Sequence, residues 1–504
     1  MRKTHYPALR YLFSKTSLAC TLAVASILMT GCGQSQSNMT TTQSVASAKV
    51  VVLLSSTSGD ELSSFFLGIS SMTLTDSSGN SVSVYTKGAP NPDIGTLYPA
   101  EFIHLNGTLE PLATVSIPQA TYVSAAVSIY GCSISTSVVT PGTTTTATAG
   151  RCSQATQTTV EIPTPITVSG AAMALSLNLQ VESSYTGGQA AVLALNTTVT
   201  PYFILTPIQI AAQPSNEQNG LITGIAAQVT SVSGTSIAAQ TLDGVPSTFD
   251  TGSSTIYQGV TGAGSLAAGM LINLDAAIQS DGSLLATRVE TDDPAAAYVV
   301  TGPTLTGSDS LSGQFQLLEQ VGTPWSPSPG GLSLPGGSGG PEAFQSSGTT
   351  TFKVSGQFSN LQKLPFSPGF DAQSFFTGQN AGTFFLSSSN NPQSGYVPVS
   401  AITLMPQTIN GTVAAVLSST NGFAVYDVLL DTDDLIPNLQ TQPGPFPRID
   451  NPAEVVVYAD SSTQMLGPSV ITEGAAARFR GLLFDDDGVM RMDCGQILSG
   501  VVEQ

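Results

Sequence analysis

The chain has 504 residues, of which 9% are charged, and it carries 33 acidic against 14 basic side chains. Four of the cations (Arg2, Lys3, Arg10, Lys15) precede residue 32, and the other ten are spread so thinly that Arg478 and Arg480 are the densest pair. Such a surface repels phosphate backbones and anionic headgroups, which excludes a nucleic-acid partner, while the length supplies three or four ordinary cores without help from disulfides.

The first element reads as a leader. A basic stretch (1–15) precedes fourteen largely apolar residues, "SLACTLAVASILMT" (17–30), and then Gly31 and Cys32. As a helix those fourteen reach ~21 Å, short of a ~30 Å hydrocarbon core, so the pattern predicts a cleaved signal over 1–31 rather than a membrane span. Leu28, Met29, Thr30, Gly31 and Cys32 resemble the lipobox of bacterial lipoproteins, with Met29 where Leu is usual. The resemblance implies that Cys32 becomes the first residue, thioether-linked to diacylglycerol and acylated on its amino group. Two or three acyl chains, at roughly 0.8 kcal/mol per buried methylene, hold a protein on a membrane durably. Gly33 after the cysteine leans, in that family's sorting pattern, towards the outer membrane. Residues 32–47, polar and without apolar periodicity, read as a flexible tether.

From residue 48 the pattern is short apolar runs, alternating or continuous, broken by Gly, Asn, Asp, Ser and Pro, which predicts an all-β chain. "KVVVLL" (49–54), "SVSVYT" (81–86), "ATVSI" (113–117), "YVSAAVSIY" (122–130), "TTVEI" (158–162) and "AMALSLNLQV" (172–181) are strands at sandwich-like spacing, giving a first domain over 48–207. Within it, "SIPQATYVSAAVSIYG" (116–131) resembles the Pro-x-x-x-Tyr element of prealbumin-like, carbohydrate-binding-like sandwiches of bacterial surface lipoproteins; "TVTPYFILTP" (198–207) resembles their closing strand. That resemblance implies a fold and no activity. Cys132 and Cys152 flank a Ser/Thr-rich excursion, and in an oxidising envelope they are expected to form a disulfide worth about 3 kcal/mol. A metal site there would need further ligands, and the sole histidine after the leader is His104.

The remainder repeats itself. "TGIAAQVTSVSGTSIAAQ" (223–240), "TGPTLTGSDSLSGQFQLLEQV" (301–321) and "NGTVAAVLSSTNGFAVYDVLL" (410–430) each give a polar residue and Gly, a strand, a Gly turn and a strand. Each is followed by a short Ser/Thr piece, "SSTIY" (253–257), "GTTTF" (348–352) and "SSTQM" (461–465), and then by closing strands. The spacing exceeds that of a solenoid repeat and predicts three tandem small β-barrels over 219–294, 295–406 and 407–504, the second carrying a low-complexity loop at 326–348. The copies resemble an uncharacterised barrel family of bacterial envelope proteins with oligonucleotide/oligosaccharide-binding-like (OB-like) topology, which supplies no catalytic residue.

Chemistry-bearing motifs are few. "GGSGG" (336–340) matches the nucleophile-elbow pattern around Ser338, but Pro-rich flanks replace the strand and helix that would strain the turn, so no catalytic residue is assigned. Asp431, Asp433, Asp434, Asp485, Asp486 and Asp487, with the "ETDD" run at 290–293, offer oxygens suited to Ca²⁺, yet none reproduces the EF-hand loop, and "DDDG" is first a hairpin turn. Trp325, in "TPWSPSP", is the one tryptophan and a candidate for stacking on a sugar or partner protein. Cys494 reads as a buried small residue. No cofactor is expected. The pattern points to a non-enzymatic, lipid-anchored envelope protein serving adhesion, scaffolding or glycan binding, with the membrane, a glycan or an envelope protein as partner. The alternative is a hydrolase of envelope polysaccharide working through paired carboxylates.

Overall fold

Continuous and alternating apolar runs become strands almost everywhere that a computed structural model describes the chain, over residues 46–87, 100–140, 143–149, 156–306, 313–323, 339–358, 361–386, 395–432, 434–440, 449–467 and 470–499. The all-β class holds.

The N-terminal module, from Ser47–Ser56 to Phe203–Ile208, is a single hydrogen-bonded sheet of eleven strands. It curls over until two distant strands, Ser81–Thr86 and Glu110–Pro118, touch, and one apolar core draws on Val52, Phe65, Val84, Ile117, Val127 and Phe203. The two layers of the sandwich are therefore halves of one sheet. Its "KVVVLL" run is continuous because the strand is buried on both faces. Val50, Val52 and Leu54 face the module's own core, whereas Val51 and Leu53 join Ile225, Phe249 and Leu274 of the next module. The Pro-x-x-x-Tyr spacing also has a physical cause: the Tyr122 hydroxyl donates to the Pro118 carbonyl at 2.8 Å.

Five strands then close a barrel: Leu221–Ser233, Ser236–Thr241, Pro246–Gln258, Leu271–Ile278 and Leu284–Glu290. They pair in the order one, two, three, five, four and back to one, with three and five parallel and the rest antiparallel. Gln407–Thr420, Phe423–Leu429, Glu454–Leu466, Ala476–Asp486 and Val489–Ser499 form the same ring. Between these rings lies an eight-stranded sheet that visits the same partners with two strands broken. Its third strand is Pro341–Gln345 plus Thr351–Val354, and its fifth is Val397–Pro398 plus Ala401–Leu404. The three expected barrels are thus two closed rings and one sheet of the same plan. The sheet's core is rich in aromatics (Tyr298, Phe315, Phe344, Phe375, Phe385) where the rings use mainly aliphatic side chains.

One irregularity recurs in every copy. Between paired positions the third strand advances from 251 to 256, 345 to 351 and 459 to 464, while the fifth advances only from 286 to 288, 398 to 401 and 494 to 496. Each third strand therefore holds three surplus residues, and a threonine pins each surplus. Thr255, Thr350 and Thr463 accept hydrogen bonds from the amides of Gly252, Ser347 and Asp460 at 2.8–2.9 Å. They donate to the carbonyls of Ala286, Val399 and Cys494 at 2.7–2.9 Å. The Ser/Thr pieces of the sequence are these excursions.

The modules share cores. Leu242 and Leu271 of the first ring pack with Val299 and Phe384 of the sheet, and Leu404 of the sheet packs with Leu482 and Phe484 of the last ring. In consequence residues 45–504 form one compact unit rather than beads on a string.

Candidate functional site

The segment "EFIHLNGTLE" (101–110) crosses the junction where all four modules meet. Ile103–Leu105 is one turn of 3₁₀ helix that buries Leu105, and Gly107, at φ +75°, reverses the chain into the strand that starts at Glu110. Glu101 is fully buried and saturated: its carboxylate accepts hydrogen bonds from the amides of Phe65 (2.8 Å), Ile103 (3.0 Å) and His104 (2.8 Å). It also stands 3.0 Å from His104 Nδ1. His104 Nε2 lies 3.3 Å from Glu110 Oε2. Burial works against a charge on His104, but the bonds to Glu101 and Glu110 outweigh it and push the imidazole up to about 10.

Asp243 enters from the first ring. It sits on the Asp-Gly turn between the second and third strands, where Gly244 (φ +82°) donates to the Thr241 carbonyl at 2.8 Å. Such a tip ordinarily points into water, yet Asp243 is only 9% exposed because the turn is pressed into the sandwich. Burial, then the Glu110 charge, raises its carboxyl well above the usual range, opposed by His104. Lys87 of the sandwich is within electrostatic reach; burial lowers it to about 8 against the pull of Asp243.

Two small cavities open beside this cluster. One of about 100 Å³ is bounded by Asp60, Asn106, Pro303, Asn410, Leu435 and Arg480. The other, about 70 Å³, is bounded by Glu110, Gly224, Asn273, Gln357 and Arg480, and His104 lines both. Each is well below the ~300–1,000 Å³ of ordinary small-molecule pockets. Asn273 and Gln357 on the wall of the second cavity join it to an ionic cluster. Arg288 is held by Asp275 (2.8 Å), Asn273 (2.7 Å) and Glu290, while Gln357 and the Gly356 amide of the sheet reach over to Asp275 and Glu290 at 2.9 Å. Asn410 donates to Asp60 at 2.8 Å, tying the last ring to the sandwich. Burial pulls Arg480 down, and Glu217 and Asp275 support its charge.

The sequence-derived candidates lie elsewhere. Cys32, Cys152, Trp325, Ser338 and Asp433 fall outside the described residues; Cys132 is buried in the strand Thr121–Thr140. Asp431 is exposed, and its amide donates to Asp434 at 3.0 Å just ahead of the short helix Leu435–Leu439. Asp485–Asp487 form a hairpin tip: Asp487 and Gly488 take φ of +54° and +86°, Asp485 accepts from the Gly488 amide, and Asp486 pairs with Arg491 at 2.7 Å. Of the "ETDD" run, Glu290 and Asp292 are buried in module contacts. Among the described residues none of these acids joins a three-ligand grouping, whereas His104, Glu110 and Asp243 do. Cys494 is a buried free thiol, pushed up to about 12 by burial. Glu101, Glu110 and Asp243 carry no sequence signal beyond the Glu-x-x-His spacing of Glu101 and His104.

Comparison with known proteins bears on the first ring. Residues 219–290 match a family described as Domain of unknown function (DUF5666). The DUF5666 match coincides with the ring that supplies Asp243 and the Arg288 cluster. No match to the chain was found among curated proteins.

Proposed function

We propose that the protein is a lipid-anchored bacterial envelope protein that binds or scaffolds its partner rather than transforming it. Cys32 is the acylated residue, the outer membrane the anchoring site, and the partner a glycan or another envelope protein. The observation that carries the reading is the ring order, one-two-three-five-four with three and five parallel, repeated in every copy. That order supports OB-like barrels, a fold whose exposed strands and loops take up oligomers. The acidic balance favours a glycan or protein over a nucleic acid. The shared threonine excursion supports reading the second and third copies as further DUF5666 domains. The Tyr122–Pro118 bond supports a prealbumin-like first module, and an oxidising envelope supports a Cys132–Cys152 disulfide.

Two measurements test this. Cys32→Ala is expected to move the protein from the membrane to the soluble fraction and to remove the acyl mass from its N-terminus; unchanged fractionation would refute the anchor. A glycan array and an envelope-protein crosslinking screen are expected to return a retained ligand. Release of reducing ends from envelope polysaccharide would replace the binding reading with the hydrolase one.

A further inference from the structure

We propose that His104, Glu110 and Asp243 bind a divalent transition-metal ion that pins the sandwich to the first ring. One donor atom from each lies within 4.8 Å of the others. The His104 Nε2 to Glu110 Oε2 distance of 3.3 Å is close to the ~3.4 Å between neighbouring ligands on a tetrahedral ion with bonds of ~2.1 Å.

Two independent features point at a cation. Glu110 Oε1 and Asp243 Oδ2 are both buried and have no hydrogen-bond partner. Leaving carboxylate oxygens bare in the interior is costly, and a cation between them removes the cost. Glu101, itself fixed by three backbone amides, holds the Nδ1 side of His104 and so directs Nε2 at the two open carboxylates. That outer carboxylate is the usual means of orienting a metal-binding imidazole.

The donor set chooses the class. One imidazole nitrogen with two carboxylates suits zinc or manganese, whereas calcium prefers six to eight oxygens. His104 and Glu110 line the 70 Å³ cavity, which has room for a water as a further ligand. Because two ligands come from the sandwich and one from the ring, the ion would lock the angle between them.

The test uses the full chain, freed of metal with EDTA and titrated with Zn²⁺ alone against a chromophoric competitor. One ion per chain with sub-micromolar Kd is expected, with at least tenfold weaker binding in Asp243→Asn and in His104→Gln. Zn²⁺ is also expected to raise the melting temperature of the native chain and not that of Asp243→Asn. The proposal fails if the native chain binds no stoichiometric Zn²⁺ at millimolar concentration, if binding survives both substitutions, or if Ca²⁺ binds as tightly. Asp243→Asn removes a buried charge while keeping the side-chain shape, and the native titration is decisive even where His104→Gln does not fold.

Discussion

A hydroxyl that accepts one hydrogen bond and donates another cannot be replaced by a methyl group of the same size without orphaning both partners. Thr255→Val, Thr350→Val and Thr463→Val should each lower stability by about 1–3 kcal/mol in urea unfolding, while Ser254→Ala, one residue away and exposed, should change little. Glu319 makes a different demand. It is 8% exposed, and burial pushes its carboxyl from 4.5 up to about 7. Below pH 4.5 both folded and unfolded chains hold this proton and nothing is lost. Between 4.5 and 7 the unfolded chain releases it first, so the native state loses up to about 3 kcal/mol as pH rises, and no more above 7. Glu319→Gln should therefore gain on the native protein between pH 5 and pH 8, read as a widening difference in unfolding midpoint. At this scale the sequence was legible by composition and not by contact. Its Ser/Thr pieces were visible, but not that one threonine in each bonds to the fifth strand's backbone 31 to 49 residues further on. His104 stood out by rarity, whereas Asp243 was hidden because Asp-Gly reads as a turn whether its tip meets water or another module.

Strand ends are set by glycines as much as by strand formers. Gly259 closes the third strand of the first ring at φ +74°, and a Cβ there would run into the Thr291 carbonyl oxygen. Gly467, at φ +85°, stands at the matching position of the last ring. Gly259→Ala is expected to cost more than about 2 kcal/mol in thermal or urea unfolding, and Gly264→Ala, which meets open space, close to nothing. Antiparallel hairpins were readable because partner and turn lie within a few residues, as at Gly234 and at Asp487-Gly488. The parallel pairing of third with fifth strands was not, since ring closure decides it and neither strand carries a local mark of its partner. The middle copy differs from the other two in its broken third and fifth strands. What separates it physically is a core of stacked and edge-on phenyl rings, such as Phe315 against Phe344 at 5.6 Å and against Phe375 at 5.4 Å.

Taken as a whole, residues 45–504 form one compact unit because the modules share apolar cores, and they are expected to fold as one. Calorimetry should show one cooperative transition, not four, and Leu53→Ala should shift all of it, by about 2–5 kcal/mol, although Leu53 belongs to the sandwich and fills the ring's core. Resolved, independent melting of sandwich and rings would contradict this. Beads with separate cores were the natural expectation from a sequence whose copies each hold enough apolar residues for a core of their own; only the continuous run at 49–54 hinted that a second face needed cover. That same strand, Ser47–Ser56, has a mechanical consequence. It is the first element after residue 46 and is hydrogen-bonded on both sides, parallel to Ala172–Leu179 and antiparallel to Glu110–Pro118. A pull on the chain from its N-terminal side runs along the strand axis, so it strains all of those bonds together instead of peeling them one at a time. Force applied at that end has to shear a doubly flanked strand out of two cores before the module opens.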